Sequence, residues 1–392
     1  MKVAWLMPLT LCGLACGGGA DGPRGVENQA GAAGATPSAG SNLGGSSVSA
    51  AGSSAGGASS AGSGGQLGGG GAAGGSTAAG GGGAGQSGGG GGAGPLVRPD
   101  LRTVVYLPNW RGALSAWATK VDFSQLTYLN VCFADVSAAG DVTFADASLD
   151  AFVATAHANG VKVCMAIGGA TVIDTGGVFA TLLQDGSRDA LVGKLSQYAT
   201  DHQLDCIDVD LEGNGVNQYY EAFVSSLGTK LHAENKELTS AVSSWFGEKI
   251  TDKAIAAFDF MNIMAYDLHN PGGSAEPVQS SSIDEATKEV DYWVGRGLPK
   301  AKAVFGVPFY GYKWATAQSE ALTYAAILAQ DPTAATQDQL TVGGATIYLN
   351  SRTTIQAKTK LAKSYGGIMA WELGQDAAGD ASLMKAIADA TP

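Results

Sequence analysis

Apolar residues in the C-terminal part of the chain fall into short, β-branched runs that are separated by longer amphipathic segments. The runs have the length of buried strands, and the segments between them have the apolar spacing of helices. Strands that alternate with helices predict a parallel sheet joined by crossover helices. The predicted strands are Thr103–Leu107, Leu126–Phe133, Val161–Ile167, Leu204–Leu211, Glu237–Val242, Phe258–Ala265, Ala301–Phe309 and Gly366–Trp371. The predicted helices include Ala147–Ala158, Arg188–His202, Gln218–Glu234, Ile283–Gly295 and Arg352–Lys363.

Eight such strands within residues 97–392 predict an α/β fold, the (β/α)8 TIM barrel, which typically needs about 250 residues. Functional residues of this fold lie at the C-terminal ends of the strands. Between the last two predicted strands, Ala315–Tyr365 holds a helix and a hairpin pattern, LTV-GG-ATIYL, centred on Gly343 and Gly344. The sequence therefore predicts a barrel with a short insertion before its eighth strand.

Three acids alternate with apolar residues where the fourth predicted strand ends: Asp208, Asp210 and Glu212. Because successive side chains of a strand point to opposite faces, the three acids share one face. Like charges at such positions repel, and burial strengthens the repulsion. The row therefore indicates a place where protons are moved or a polar ligand is held. The alternative is a solvent-facing edge strand, although such strands usually carry mixed polar residues.

The N-terminal segment differs in composition from the rest of the chain. Residues 1–16 have one lysine and a short apolar stretch, which predicts an export signal. Cys16 follows Leu14 and Ala15, as in bacterial lipoprotein signals, but Gly13 stands where those signals prefer leucine. Cys16 is thus the candidate lipid-attachment residue, with simple secretion as the alternative. Residues 17–96 are nearly all Gly, Ala and Ser, and we expect them to form a disordered, flexible tether.

The charge, histidine and cysteine content limits the classes of ligand and metal that the protein could bind. The net charge is −12, and the first 97 residues contribute none of it, because Lys2 and Arg24 balance Asp21 and Glu27. An acidic domain without a basic cluster is unsuited to nucleic acid, so a neutral polysaccharide fits better. The four histidines lack the spacing of a metal site, and we expect neither metal nor cofactor. Three cysteines lie in predicted strands, and we expect buried, unreactive thiols rather than a disulfide: Cys132, Cys164 and Cys206.

The run from Asp205 to Glu212 fits the D-x-x-D-x-D-x-E motif and resembles family 18 of the glycoside hydrolases, the chitinase family. Further segments are similar to strand motifs of that family and follow in the same order. They are TVVYLPNW at 103–110, VCMAIGG at 163–169, MNIMAYD at 261–267, AVFGVPFYGY at 303–312 and GGIMAW at 366–371. The resemblance covers residues 97–392 and implies a barrel hydrolase that acts on polymers containing N-acetylglucosamine.

The resemblance also implies roles for single residues. Glu212 would be the general acid and then the general base, while the substrate's own acetamido group attacks the sugar, so that no second carboxylate is needed. Asp210 would orient the acetamido N–H, and Asp208 would tune Asp210. Tyr266 would bind the acetamido carbonyl with support from Asp267. Trp371 would form the floor under the sugar, and the further candidate binding residues are Met264, Tyr106, Trp110, Tyr310 and Trp245.

Three features depart from the family pattern. Ala166 replaces a serine whose hydroxyl would contact Asp208, and Leu211 replaces a tryptophan on the outward face of the strand. The insertion after the seventh strand lacks the length of the domain that many family members have, which favours a shallow groove and cutting within the polymer. Two alternatives to a chitinase remain: an endo-β-N-acetylglucosaminidase acting on N-glycans, and a non-hydrolytic sugar-binding protein. An intact Glu212 argues against the second.

Overall fold

The structure is a computed structural model that describes residues 101–269, 277–315 and 318–391. The predicted export signal, the lipid-attachment residue Cys16 and the Gly/Ala/Ser-rich tether lie outside these residues. The strands are β1 Thr103–Pro108, β2 Tyr128–Val136, β3 Val142–Thr143, β4 Lys162–Gly168, β5 Cys206–Asp210, β6 Glu237–Val242, β7 Phe260–Ile263, β8 Ala303–Pro308, β9 Tyr310–Ala315, β10 Gln318–Thr323, β11 Gln339–Val342, β12 Ala345–Leu349 and β13 Gly367–Trp371.

Ten α-helices accompany these strands in the described part of the chain. They are α1 Leu114–Trp117, α2 Leu149–Ala158, α3 Phe179–Leu182, α4 Arg188–Asp201, α5 Tyr220–Ala233, α6 Asp252–Ala257, α7 Ile283–Gly295, α8 Tyr324–Gln330, α9 Arg352–Ala362 and α10 Leu383–Ala390. Within the described residues, no helix has both the length and the apolar character needed to cross a membrane.

Eight parallel strands close into a barrel, as the alternation of apolar runs and helices predicts. Their order around the barrel is β1, β2, β4, β5, β6, β7, β8 and β13, and pairing of β13 with β1 completes the circle. The fold is therefore the predicted (β/α)8 TIM barrel. The short strand β3 extends β2 in antiparallel fashion at one end.

Two apolar cores follow from the alternation of side chains along each strand. On β5, Ile207 and Val209 join the core between barrel and helices, whereas Cys206 belongs to a second cluster inside the barrel. Leu211 packs in the outer core, as its predicted outward face requires. Asp208 and Asp210 alternate with Ile207 and Val209 along β5, so both carboxylates point into the barrel interior.

The insertion before the last barrel strand is larger than the sequence predicts. The predicted hairpin is present as β11 and β12, joined at Gly343 and Gly344, whose φ angles of 58° and 80° suit glycine. Its strand β12 pairs with β9, and β10 pairs with the other edge of β9, which gives a four-stranded antiparallel sheet of order β10, β9, β12, β11. Helix α8 follows β10 along the chain. Strands β9 and β10 were not predicted, because Tyr310 and Tyr312 directly follow the apolar run of the seventh strand and β10, Gln318–Thr323, has only two apolar residues.

Candidate active site

The acid row lies at the C-terminal end of β5, inside the barrel. Asp208 has none of its surface exposed and Asp210 has 4%, whereas Glu212, just beyond the strand, is partly exposed. The alternative of a solvent-facing edge strand is therefore excluded, because β5 pairs with β4 and β6 and its acids are buried. The row runs from the barrel interior to the open end, with Glu212 as its accessible member.

Asp208 is held by hydrogen bonds from three strands. The hydroxyl of Tyr106 donates to Oδ2 at 2.7 Å, and Thr239 Oγ1 and Asn262 Nδ2 donate to Oδ1 at 2.5 and 3.3 Å. Burial raises the pKa of Asp208 to about 6, while these donors act in the opposite direction. Ala166 is the neighbour of Asp208 in β4 and offers no hydroxyl, so Tyr106, Thr239 and Asn262 are the donors that tune this carboxyl here.

Asp210 has a carboxyl oxygen without a partner. Its Oδ1 is buried and has no hydrogen bond with the described residues. Burial, and then the charges of Glu212 and Asp208, raise the pKa of Asp210 well above its usual range. The backbone beside it is tightly packed: Gly169 N donates to Asp210 O at 2.7 Å, and a Cβ on Gly168 would lie 2.3 Å from that oxygen. This close approach explains Gly168 at the end of β4, whereas a Cβ on Gly169 would lie 2.8 Å from the ring of Phe133.

Glu212 has the protonation behaviour that a general acid needs. Burial, followed by the charge of Asp267, raises its pKa to about 7. A carboxylic acid whose pKa lies near neutral pH can hold a proton at that pH and release it to a substrate oxygen. Since Asp210 and Glu212 are two residues apart on an extended segment, about 6.5–7 Å, ionisation of one disfavours ionisation of the other.

The chain just beyond β7 brings a second group of candidate residues to the same end of the barrel. Burial, and then the charge of Asp210, raise the pKa of Tyr266 well above its usual range. Tyr266 is 7% exposed, and its hydroxyl contacts Met369 Sδ at 3.9 Å. Asp267 has a φ of 56° and accepts a 2.7 Å hydrogen bond from Tyr312 of β9. Met264 is partly buried and packs against both apolar cores.

Aromatic rings line the opposite side of the barrel end. The ring centroids of Trp371 and Phe133 are 6.2 Å apart, and Phe133 stacks on Trp110, again at 6.2 Å with an interplanar angle of 27°. Trp110 is 58% exposed. The peptide bonds Cys132–Phe133 and Trp371–Glu372 are cis. Trp371, Phe133 and Trp110 thus form an aromatic strip that becomes more exposed away from Trp371.

Tyr106 and Tyr310 do not occupy exposed positions in this strip. Tyr106 is 1% exposed, packs 5.4 Å from Trp371 and gives its hydroxyl to Asp208. Its position suits support of Asp208 rather than the sugar contact expected from the sequence. Tyr310 is also buried, beside Tyr266 at 6.2 Å. Both rings therefore lie beneath the accessible surface.

Charged side chains fix the segments that carry Trp371 and Trp245. Glu372, which directly follows Trp371, is buried and forms an ion pair with Arg111 at 2.7 Å. It also accepts a 2.8 Å hydrogen bond from Gly374 N. Trp245 is 47% exposed. Four residues later in the same segment, Lys249 Nζ donates to Gly213 O at 2.7 Å, in the turn that follows Glu212. Trp245 therefore lies in a segment that contacts the Glu212 turn.

Several residues of the site were not predicted. Thr239 and Asn262 interrupt apolar strands at positions whose parity points into the barrel, so strand parity alone would have identified them. Phe133 ends a predicted strand, which is the position expected of a site residue. Tyr312 could not be assigned because its position depends on β9, a strand that the sequence did not predict.

The cysteine prediction was wrong for two of three residues. Cys164 and Cys206 form a disulfide with a Cα–Cα distance of 4.5 Å, while Cys132 is free and buried as predicted. The two bonded residues are direct neighbours in the register of β4 and β5 and both point into the barrel. The prediction treated each strand separately, whereas a disulfide depends on the register between two strands.

No cluster of three or more His, Cys, Asp or Glu side chains in the described ranges has the arrangement of a metal site. The four histidines instead contact single carboxylates at 2.6–2.8 Å, namely His157 with Asp205, His202 with Asp150, His232 with Asp259 and His269 with Glu285. That the reaction needs no metal or cofactor stays a prediction.

The closed parallel barrel, with acids at the tip of its fourth strand and a tryptophan at the tip of its eighth, has the arrangement that the family 18 motifs predicted. The model of the family described as "Glycosyl hydrolases family 18" matches residues 102–376. The chain belongs to this family, as the sequence motifs predicted.

Similar proteins agree with this assignment. A family 18 chitinase from the chitin utilization locus of Flavobacterium johnsoniae is 33% identical, with a TM-score of 0.68 over 75% of this chain and 94% of that one. A chitinase-like effector from Moniliophthora roreri is 31% identical over 55% of this chain and 60% of its own length. A class V chitinase from Arabidopsis thaliana is 26% identical over 57% and 66%. The chain spans less than two thirds of these two curated relatives.

Proposed function

We propose that this protein is a retaining hydrolase of β-1,4 bonds between N-acetylglucosamine units, in which the substrate's acetamido group acts as the nucleophile. The observation that carries the proposal is the pair formed by Asp210 and Glu212. Asp210 is buried with a free acceptor oxygen, and Glu212, partly exposed beside it, has its pKa raised to about 7. The pair offers one group to hold the acetamido N–H and another to protonate the leaving oxygen.

In the first step, Glu212 gives its proton to the glycosidic oxygen while the bond from that oxygen to the anomeric carbon breaks. The acetamido oxygen forms a bond to the same carbon from the opposite face and yields a cyclic oxazolinium ion. In the second step, the Glu212 carboxylate takes a proton from water, and the resulting hydroxide attacks the anomeric carbon. The oxazolinium ring opens, so the configuration is retained and Glu212 regains its proton.

The remaining residues assist this sequence without forming bonds to the sugar. Asp210 accepts the acetamido N–H and balances the positive charge of the intermediate. Asp208, held by Tyr106, keeps Asp210 in place. The Tyr266 hydroxyl donates to the acetamido oxygen, and Asp267 supports the same segment. Such fixed dipoles and charges contribute most when they are already oriented before the reaction begins.

The aromatic strip fits a chain of pyranose rings. A flat apolar ring packs well against the C–H face of a sugar. We assign Trp371 to the sugar at the cleaved bond and Trp110 to a more distant unit. Trp245, on the side of the Glu212 turn, is a further candidate contact. The charge distribution, which lacks a basic cluster, favours this neutral ligand over nucleic acid.

Cutting within the polymer is part of the proposal. The sequence indicated it through a short insertion, and the four-stranded sheet β9–β12 makes that insertion larger, so the cleavage products decide the question. Products of hexamer cleavage test it directly. Early release of intermediate lengths supports internal cutting, and release of dimer alone contradicts it.

The decisive experiment compares hydrolysis of N-acetylglucosamine oligomers by the wild-type protein and by Glu212→Gln. Removing a general acid lowers the rate about 10²–10⁴-fold, so the variant should be nearly inactive while it still binds the oligomer. Exposed Glu248→Gln serves as the matched control. Absence of cleavage by the wild type contradicts the proposal, and N-glycan substrates then test the endo-β-N-acetylglucosaminidase alternative. Binding without cleavage of either substrate class indicates a sugar-binding protein.

Export and lipid attachment are separate proposals that rest on the sequence alone. A signal over residues 1–16 with lipid on Cys16 would place the enzyme at the cell surface, and cleavage without lipid would secrete it. More than one acyl chain would make a stable membrane anchor. Detergent-phase partitioning of the wild type and of Cys16→Ala, both expressed in a bacterial host, distinguishes the two outcomes.

A further inference from the structure

Lys358 of α9 is a buried cation that takes no part in the reaction proposed above. Its side chain is fully buried, and its Nζ donates to Ser281 O at 2.7 Å, Ser281 Oγ at 2.6 Å and Asn350 Oδ1 at 2.7 Å. All three partners are uncharged. A buried ammonium is costly unless its protons are fully hydrogen-bonded, so the arrangement calls for an explanation beyond packing.

The hydrogen bonds of this cluster have a defined direction. Ser281 Oγ donates its proton to Ala265 O at 2.7 Å, and Asn350 Nδ2 donates to Ser281 O at 2.9 Å, so both groups face Lys358 as acceptors. Three acceptors match the three protons of an ammonium, whereas a neutral amine could serve only two of them. Burial lowers the pKa of Lys358 to about 7, and the charge of Asp338 opposes that shift.

The cluster ends at the active site. Ala265 directly precedes Tyr266 and Asp267, and its carbonyl oxygen accepts the hydrogen bond from the Ser281 hydroxyl. On the other side of these two residues, Leu268 N donates to Ser280 O at 3.0 Å. Asp267 has a φ of 56°, a left-handed conformation that residues other than glycine seldom adopt without support from their surroundings. Ser280 and Ser281 therefore hold the chain on both sides of Tyr266 and Asp267.

We propose that Lys358 is a positioning residue: its ammonium orients Ser281, which fixes the segment from which Tyr266 and Asp267 reach the substrate. Lys358 acts through Ser281 and touches neither sugar nor water at the reacting bond. The kinetic consequence rests on the proposed hydrolysis, whereas the anchoring of residues 264–268 does not. Loss of the anchor should lower kcat more than it raises KM, because Tyr266 acts on the acetamido oxygen during its attack.

Lys358→Met in the full chain is the test, with Lys360→Met, an exposed position of the same helix, as the matched control. We expect kcat on an N-acetylglucosamine tetramer to fall about tenfold or more, since small displacements of positioning groups reduce rates strongly. Amide exchange should accelerate in a peptide covering residues 264–268 and stay unchanged in β1 and β2. Ser281→Ala should act in the same direction, and the double variant should be less damaging than the product of the two single effects.

Each result decides the proposal. Unchanged kcat and exchange in a folded Lys358→Met protein overturn it, and so does faster exchange throughout the barrel, which would indicate a general contribution to stability. If Lys358→Met does not fold, Ser281→Ala decides by the same two measurements. Faster exchange confined to residues 264–268 supports the proposal even if no oligomer is cleaved, and in that case the proposed function alone fails.

Discussion

Tyr312 of the inserted sheet donates a 2.7 Å hydrogen bond to Asp267, just beyond β7 of the barrel. The insertion is therefore joined to the active site and is more than a wall beside it. Burial raises the pKa of Asp267, while its hydrogen bonds with Tyr312 and Tyr310 act in the opposite direction. Since Asp267 in turn raises the pKa of Glu212, the inserted sheet influences the general acid through one intermediate residue.

Removal of the Tyr312 hydroxyl should weaken catalysis without disturbing the fold. In Tyr312→Phe, Asp267 loses a donor to its charged form, so its pKa rises and it is more often neutral. A hydrogen bond to a charged group contributes about 1.5–3 kcal/mol, and we expect kcat/KM to fall about tenfold or more. Tyr365→Phe removes a similar 2.7 Å bond to Asp291 at the surface and should change nothing. Equal kinetics of the two variants would contradict this role of Tyr312.

Ionisation of the buried Asp208 carboxyl should reduce the stability of the folded protein at neutral pH. Its pKa is about 6 in the folded protein and near 3.8 when unfolded, so the folded state binds more protons between these values. The free energy of unfolding therefore falls as pH rises through this range, by about 3 kcal/mol for this group. Asp208→Asn cannot ionise, and we expect it to be more stable than the wild type at pH ~7.5 and not at pH ~4, although less active.

Denaturant unfolding at these two pH values measures the effect. Asp189→Asn is the control, because that side chain is 87% exposed and lies on the surface. A stability gain of Asp208→Asn that is the same at both pH values would show that ionisation of Asp208 is not the cause.

The pattern of apolar runs was sufficient to predict the barrel, because each barrel strand is buried on both faces and each helix has one apolar side. Strand parity also placed Asp208 and Asp210 on the interior face. These predictions need only the local period of the sequence. The resemblance to family 18 singled out Asp267 and Trp371; Trp371 is the last residue of β13, and Asp267 lies four residues after β7.

Features that depend on contacts between strands and helices could not be predicted from the local pattern of the sequence. The disulfide requires the register of β4 against β5, which places Cys164 opposite Cys206. Tyr312 required β9, whose aromatic residues merged with the preceding apolar run. In the sequence, Lys358 looks like an ordinary charged residue of a helix. Its burial depends on the packing of α9 against Ser281, which the local sequence does not indicate.

The Cys164–Cys206 bond should contribute strongly to stability. It closes a loop with a sequence separation of 42 residues, for which loss of entropy in the unfolded chain corresponds to about 3–4 kcal/mol. The double variant Cys164→Ala/Cys206→Ala should unfold at lower urea concentration than the oxidised wild type. Reductant should lower the wild-type midpoint and leave the double variant unchanged, with Cys132→Ala responding like the wild type. A non-reduced digest that lacks a peptide joining the two cysteines would contradict the bond itself.

The pH dependence of the reaction should report Glu212. As the general acid it must carry its proton, so activity should decline as pH rises through about 7, the value to which burial and the charge of Asp267 raise its pKa. Asp267→Asn removes that charge, which lowers the pKa of Glu212 and moves the alkaline decline to lower pH. Asp291→Asn, at an exposed position, should leave the decline in place. The measurement is kcat/KM against pH, since kcat/KM reports groups of the free enzyme, the state to which this pKa belongs. A decline that moves to higher pH in Asp267→Asn would mean that another group, and not Glu212, supplies the proton.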